Sequence, residues 1–439
     1  MSAETPHRRR GQLTALAGGF ALTVPGLAIR LSGASPESWA QAVLYGLAVV
    51  GAAFILAWAA EVLQLDVSAG LALALLALIA VLPEYAVDFV FTAKAGEAAK
   101  AGIHPNVDAQ LALANMTGGN RLLIGIGWSL VVLLAAWRMK KIARERGYEG
   151  PVDNEVKLDR SHSVEIAFLM IATIYSLTLC MKRTLTLFDS VVLIGLFAAY
   201  LIRIARAPAD EPHLVGPSEL IGSLPKIQRR VIVGLMLLFA AGVILLSAEH
   251  FAESLVDTGK QFGIDEFLLV QWLAPLASEA PELLIAGLFA WRLNTNAALG
   301  ALLSSKVNQW TLLVGSLPIV FAVSSSSLHG LPLDALQREE LFLTAAQSAF
   351  AVAVLANRSI SVKEAYMLLG LFLSQFVLGA ALPEGLRELE RISVGVVYLV
   401  LAAVIIARNS GAFPRVLKDG LRVPVAELAR GDEPGIEPA

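Results

Sequence analysis

Apolar runs long enough to span a bilayer recur along the whole chain, and they leave few folds open. The sequence is 56% hydrophobic and 16% charged over 439 residues. Length alone would point to about three soluble domains, but stretches of about 18 or more apolar residues mark membrane spans. In lipid every backbone polar group must pair inside the spanning structure, so only helices or a closed barrel can cross. No alternation over roughly ten residues, the mark of a barrel strand, is visible. The chain is therefore expected to be an all-α polytopic membrane protein with about 12 transmembrane helices. Their expected positions are 12–30, 38–62, 69–93, 107–136, 163–180, 185–204, 230–254, 266–290, 297–322, 340–356, 362–381 and 391–407.

Most of the 34 basic residues fall in connections on one side of these spans: Arg8–Arg10, Arg138–Arg160, Arg203–Arg230, Arg358–Lys363 and Arg408–Arg430. By the positive-inside rule that side is cytoplasmic, and both termini lie on it. Such short loops fit a bacterial plasma membrane. His7 to Arg10 ahead of an apolar run also resembles a signal peptide; an uncleaved first helix is expected, and cleavage would leave the remaining topology unchanged. The single Cys180 excludes an internal disulfide and a cysteine metal cluster. There is no HExxH, no P-loop and no dinucleotide fingerprint, so an enzyme, a cofactor and a nucleic-acid partner are not expected.

The informative feature is what interrupts the apolar runs. Leu268–Val323 could cross a membrane twice, yet it contains Glu279, Glu282, Lys306, Pro275 and Pro281. An earlier stretch, Leu71–Trp137, has the same pattern: Pro83-Glu84, Asp88, Asn115 and the run Thr117-Gly118-Gly119-Asn120-Arg121. A charge at bilayer depth costs roughly 2.5–3.5 kcal/mol on insertion scales, so six unpaired ones would cost about 15–20 kcal/mol. They must face one another or water. Predicted helices 2–6 and 7–11 can be laid over each other, and the odd offset of five helices makes the two repeats inverted. Interrupted helices in corresponding positions of two inverted halves are the sequence sign of a secondary transporter with its site between them.

Glu84 with Asp88 and Glu279 with Glu282 each share a helix face, and together they offer the hard oxygen ligands that Na⁺ or Ca²⁺ prefers. The plain alternative is that some of them touch headgroups at helix ends. Asn115, Thr117 and Asn120 flank Gly118-Gly119, where the helix can unwind and release carbonyls; Ser304, Ser305, Asn308 and Thr311 correspond to them in the second half. Small residues there also serve close helix packing. Lys306 and Arg121 are positive where a cation should bind. Lys306 is either a proton carrier, a tethered stand-in for a cation, or half of a structural ion pair with Glu84 or Glu282. Arg121 is expected to pair with Asp88 or Glu84. His250 beside Glu249 and Glu253 is expected to be a solvated helix cap rather than a metal ligand.

At these residues the chain resembles the cation/Ca²⁺ exchanger superfamily, of the sodium/calcium exchanger type. The resemblance rests on Pro83-Glu84 with Asn115–Asn120, and on Ser278-Glu279-Ala280-Pro281-Glu282 with Gly300–Lys306 and Leu312–Gly315. It implies an antiporter that moves a cation (Ca²⁺, Na⁺ or another) against Na⁺ or H⁺ by alternating access. Glu84 and Glu282 would then be the central metal ligands and Asn120 a carbonyl ligand, with Lys306 at the fourth position of the family pattern. Lys there departs from the pattern and weighs against a three-to-one Na⁺/Ca²⁺ exchange. The resemblance divides the chain into an extra helix at 1–37, repeats at 38–205 and 230–382, a cytoplasmic linker at 206–229, and an extra helix with a tail at 383–439. Expected partners are inorganic cations and the bilayer, with homo-oligomerisation left open. A proton-coupled transporter of another cation and a non-transporting membrane scaffold are the alternatives.

Overall fold

The computed structural model describes residues 6–102, 107–147, 155–207, 214, 216–263, 276 and 279–430. The first half contains α1 (Pro6–Ser32), α2 (Ser38–Leu63), α3 (Ala69–Ala80), α4 (Leu82–Lys100), α5 (Val107–Leu122), a π-helical segment (Leu123–Trp128) and α6 (Ser129–Glu145). Strand β1 (Glu155–Lys157), α7 (Ser163–Leu179), β2 (Thr184–Leu185) and α8 (Leu187–Ile204) complete it. After α9 (Pro217–Gly222) come α10 (Lys226–Gln261), α11 (Ala280–Trp291), α12 (Thr295–Asn308), a second π-helical segment (Gln309–Leu313) and α13 (Val314–Ser325). Then follow β3 (Leu331–Pro332), α14 (Ala335–Leu355), β4 (Ser359–Ser361), α15 (Val362–Ala381), α16 (Glu384–Arg408), α17 (Ala412–Leu421) and α18 (Val425–Arg430).

Among the described residues nine helices are long and apolar enough to cross a membrane, and the pair α3–α4, bent by 50°, makes a tenth. Two of the twelve expected spans do not pass that test. The eighth is described only from Glu279 onward, and α11 alone is short; Pro275 and Ser278 lie outside the described residues. The tenth, α14, has three charged residues, Arg338, Glu339 and Glu340, in its second turn.

The bend at α3–α4 falls beside Pro83, a residue type with no backbone N–H to continue a helical ladder. At Gly118-Gly119, by contrast, the helix does not unwind. Each glycine costs about 1 kcal/mol of helix propensity, but residues 116–121 are all buried, and a broken ladder away from water would cost more. Thr117 Oγ1 donates back to the Leu113 carbonyl at 2.8 Å. The irregularity comes just beyond, in the π-helical segment. There Gly125 lies against the Phe372 ring of α15, with no room for a methyl group.

The chain divides into two compact units, 1–86 with 208–285, and 87–207 with 286–439. In the first, α2 packs along α10 and against α1, where Gly26 and Gly51 let the α1 and α2 backbones come close. Ser218 Oγ donates to Glu61 at 2.5 Å, tying α9 to α2. Arg229 and Arg230 both bond Asp66, at 3.1 and 2.9 Å. Burial of Asp66 works to raise its pKa, but these hydrogen bonds outweigh it and hold the carboxyl below its ordinary range.

In the second unit α14 is central and contacts α5, α7 and α16. Two antiparallel ribbons tie its loops: β1 with β4 (Val156 opposite Ile360) and β2 with β3 (Leu185 opposite Leu331). The first ribbon brings the 138–160 and 358–363 connections to one side, as their shared basic character requires.

The segment after α16 is not a plain solvated tail. Helix α17 packs on α7, with Gly420 against the Ser163 carbonyl. Arg160 holds Asp419 through two hydrogen bonds of 2.9 Å, and Arg203 donates to the carbonyls of Asp419, Gly420 and Val423. The hydrogen bond from Arg160 lowers the Asp419 pKa, as do the nearby charges of Arg160, Arg358 and Lys418, against the effect of burial. A depressed carboxyl pKa contributes stability that is complete above the unfolded value, about 3.9, and is lost as pH falls through the folded one. Hydrogen exchange of α17 should therefore be flat from pH 7 to about 4, after correction for intrinsic rates, and should rise below that. In Asp419→Asn the protection should be lower throughout and the acid step should vanish.

Candidate functional site

Helices α4 and α11 begin alike. Each starts one residue before its Pro-Glu pair, Leu82-Pro83-Glu84 and Ala280-Pro281-Glu282, so both glutamates occupy the first helical turn. Proline is favoured there because the first-turn N–H groups have no helical acceptor, and the positive end of the helix dipole favours a carboxylate. Glu84, Glu279 and Glu282 are 2%, 1% and 4% exposed, and all three belong to the first unit. Neither Glu282 carboxylate oxygen has a hydrogen-bond partner among the described residues. The chain passes from the first unit to the second between Ala86 and Val87, and again between Ile285 and Ala286. Each Pro-Glu carboxylate therefore lies just ahead of a crossing.

The second unit holds the other candidates. Asp88 is fully buried and accepts from Asn115 Nδ2 at 2.9 Å, which links α4 to α5. Lys306, also fully buried, donates from Nζ to Asn120, to the main-chain oxygen at 2.8 Å and to Oδ1 at 2.6 Å. The same ammonium stands 5.3 Å from the centre of the Trp310 ring, a cation–π distance. Asn120 uses its own amide donor on the Met116 carbonyl at 2.9 Å. The oxygens expected to serve a transported ion are thus engaged by a lysine.

Arg121 has a partner that the sequence reading did not name. It forms an ion pair at 2.5 Å with Glu340 of α14, and Gln347 Nε2 of the same helix donates to its carbonyl at 3.2 Å. A legible signal stood in the sequence: Glu340, Thr344, Gln347 and Ser348 form a polar stripe at helical spacing in an otherwise apolar segment. All four are buried, and Ser348 accepts from Trp310 Nε1 at 2.8 Å.

The remaining hydroxyls divide. Ser304 bonds Tyr200 at 2.9 Å, joining α12 to α8, and Thr311 donates to Val307 in its own helix. Ser305 and Asn308 are buried in α12, and Ser305 Oγ has no hydrogen-bond partner among the described residues. His250 packs against Tyr45 with the rings tilted by 52° and their centres 5.4 Å apart. Trp137 and Trp291 pair at 5.6 Å, with Arg138 over the second ring at 4.9 Å. No group of three or more His, Cys, Asp or Glu side chains could hold a metal ion among the described residues.

Comparison with known families identifies the pattern. The sodium/calcium exchanger protein family model matches residues 37–205 and 232–378. The chain belongs to that family. A solved H⁺/Ca²⁺ exchanger, CAX, is 40% identical with a TM-score of 0.79, over 96% of this chain and 99% of that one. The sodium-calcium exchanger NCX_Mj shares the fold at 16% identity and a TM-score of 0.57, over 79% of this chain and 98% of that one. No curated protein sequence matches the chain. This exchanger is thus an integral membrane protein of a family that transports Ca²⁺, Na⁺ or H⁺.

Proposed function

We propose that the exchanger is a secondary active antiporter that moves Ca²⁺, or a cation of similar charge and size, against protons, with Glu84 and Glu282 alternating between cation and proton. The observation that carries this reading is Glu282. A carboxylate that is 4% exposed, with no hydrogen-bond partner among the described residues, needs a proton or a cation at membrane depth. Glu84 begins its helix in the matching way, and the 40% identical H⁺/Ca²⁺ exchanger supports the choice of ion pair. Glu279, buried in the same unit as Glu84 and Glu282, is a further carboxylate for that site. In this reading exchange proceeds by alternating access. No cofactor enters the cycle; the ions are substrates. The basic loops support an orientation with both termini in the cytoplasm of a bacterial cell.

The test is uptake of ⁴⁵Ca²⁺ into proteoliposomes. With the lumen acidic, the expected result is uptake that a protonophore abolishes and an equal-pH Na⁺ gradient does not reproduce. Uptake driven by Na⁺ alone would overturn the proton coupling, and no gradient-driven flux would favour the scaffold.

A further inference from the structure

The Lys306–Asn120 bond has a symmetry that individual contacts do not convey. Asn120 precedes its π-helical segment by three residues, and Lys306 precedes the other segment by the same three. The two residues thus occupy corresponding positions in the two inverted repeats, and they bond each other. A π-turn shifts the backbone ladder from i+4 to i+5, so carbonyls at its start lose their usual donor. Such carbonyls do not remain bare away from water. At the first junction the Asn120 carbonyl accepts from Lys306 and the Arg121 carbonyl accepts from Gln347. The Asn120 side chain adds Oδ1, because its amide group is committed to Met116. The cluster offers two uncharged oxygens within 2.8 Å of a single positive charge. Carbonyl and amide oxygens at short range are what a hard monovalent cation seeks in a membrane protein. Here the charge is covalently attached.

We propose that the Lys306 ammonium is a built-in monovalent cation, permanently filling a cation subsite formed by the Asn120 oxygens, so that this exchanger needs no Na⁺ there and binds none. The inference rests on the antiporter reading for its meaning in transport, while occupancy of the subsite is read by binding alone. It leaves Glu84 and Glu282 as the exchangeable ligands and turns a multi-ion binding scheme into one with fewer mobile ions. Lys306 touches oxygens that would otherwise face an ion, so it is a specificity-determining residue rather than a catalytic one.

The discriminating substitution is Lys306→Asn, which gives both repeats the same residue and frees the Asn120 oxygens. Binding of ²²Na⁺ to the purified protein in detergent is a readout independent of transport. Wild type should show no saturable ²²Na⁺ binding. Lys306→Asn should gain it, with bound ²²Na⁺ about tenfold or more above the wild-type background, within the range of coupling between sites, and its ⁴⁵Ca²⁺ binding should become Na⁺-sensitive. Lys306→Met, which removes the charge without adding an oxygen, should bind Na⁺ more weakly than Lys306→Asn. Lys306→Arg should stay blind to Na⁺. Saturable Na⁺ binding by wild type would overturn the proposal. So would a folded Lys306→Asn, judged by its elution profile and melting curve, that takes up no more Na⁺ than wild type. Should Lys306→Asn fail to fold, Lys306→Met decides: no gain of Na⁺ binding over wild type overturns the idea. Absence of wild-type ⁴⁵Ca²⁺ flux with a gain of Na⁺ binding in Lys306→Asn would sink the antiporter reading and leave the filled cation subsite standing.

Discussion

Glu282→Gln should reduce proton-driven ⁴⁵Ca²⁺ uptake by about 100-fold or more, equivalent to roughly 2.7 kcal/mol or more, while the protein still folds. Glutamine keeps the shape of the side chain and removes both its charge and its titratable proton. A transported divalent cation loses a hard anionic oxygen ligand, and the proton loses its carrier, so both halves of the exchange cycle fail together. The folding cost should be small because Glu282 has no hydrogen-bond partner among the described residues to leave stranded. Relieving a buried charge can offset the poorly paired amide that replaces it. Glu84→Gln should behave likewise, since Glu84 holds the matching first-turn position. Glu282→Asp, with one methylene fewer, should keep some exchange and weaken ion affinity. Flux, ⁴⁵Ca²⁺ binding and melting temperature should be measured on the same preparations. Retention of flux within about threefold of wild type, less than the tenfold that 1.4 kcal/mol provides, would sink the carboxylate assignment; loss of folding in both variants would return the scaffold reading.

The sequence made the architecture legible for a simple reason: hydrocarbon leaves a spanning chain only one way to satisfy its backbone. Every predicted span within the described residues has a helix, the bend falls beside Pro83, and the polar interruptions recur in both halves. What could not be read were choices among equivalent partners. Arg121 had to meet an acid, but Asp88 and Glu84, close in sequence, hid the claim of Glu340 more than two hundred residues away. The stripe from Glu340 to Ser348 was readable as a face, not as a partner for any particular helix. Gly118-Gly119 looked like a place to unwind because glycine permits it; permission is not a driving force, and helix packing kept the ladder intact. The π-helical segments left no sequence mark of their own. A one-residue shift in hydrogen-bond register is decided by contacts such as Gly125 against Phe372 and Lys306 against the Asn120 carbonyl, which are distant in sequence.

Truncating Glu340 to Ala should destabilise the fold by up to about 3–5 kcal/mol, the cost of breaking a buried ion pair from one end, reduced by what Arg121 recovers from Glu390, on which its charge also acts. Arg121 is 2% exposed at the side chain and Glu340 is 12%, so neither end is freely supplied with water. Arg121 cannot escape by losing its proton, since guanidinium stays charged at any accessible pH. Arg121→Ala should cost a similar amount, reduced by what Glu340 recovers from Arg391, whose Nε is 4.0 Å away and whose nearer partner is Glu339 at 2.7 Å. The double replacement Arg121→Met with Glu340→Leu should recover most of either loss, because well-packed apolar groups can replace a buried pair at little cost. Denaturant unfolding in detergent of the four proteins closes the cycle. Additivity within about 0.5 kcal/mol would mean that the two charges do not act as a pair. Strong coupling would identify α14 as the strut that fixes the end of α5. Asn120 and the start of the π-helical segment sit at that end, so the orientation of the Asn120 oxygens toward Lys306 would depend on an ion pair one residue along the chain.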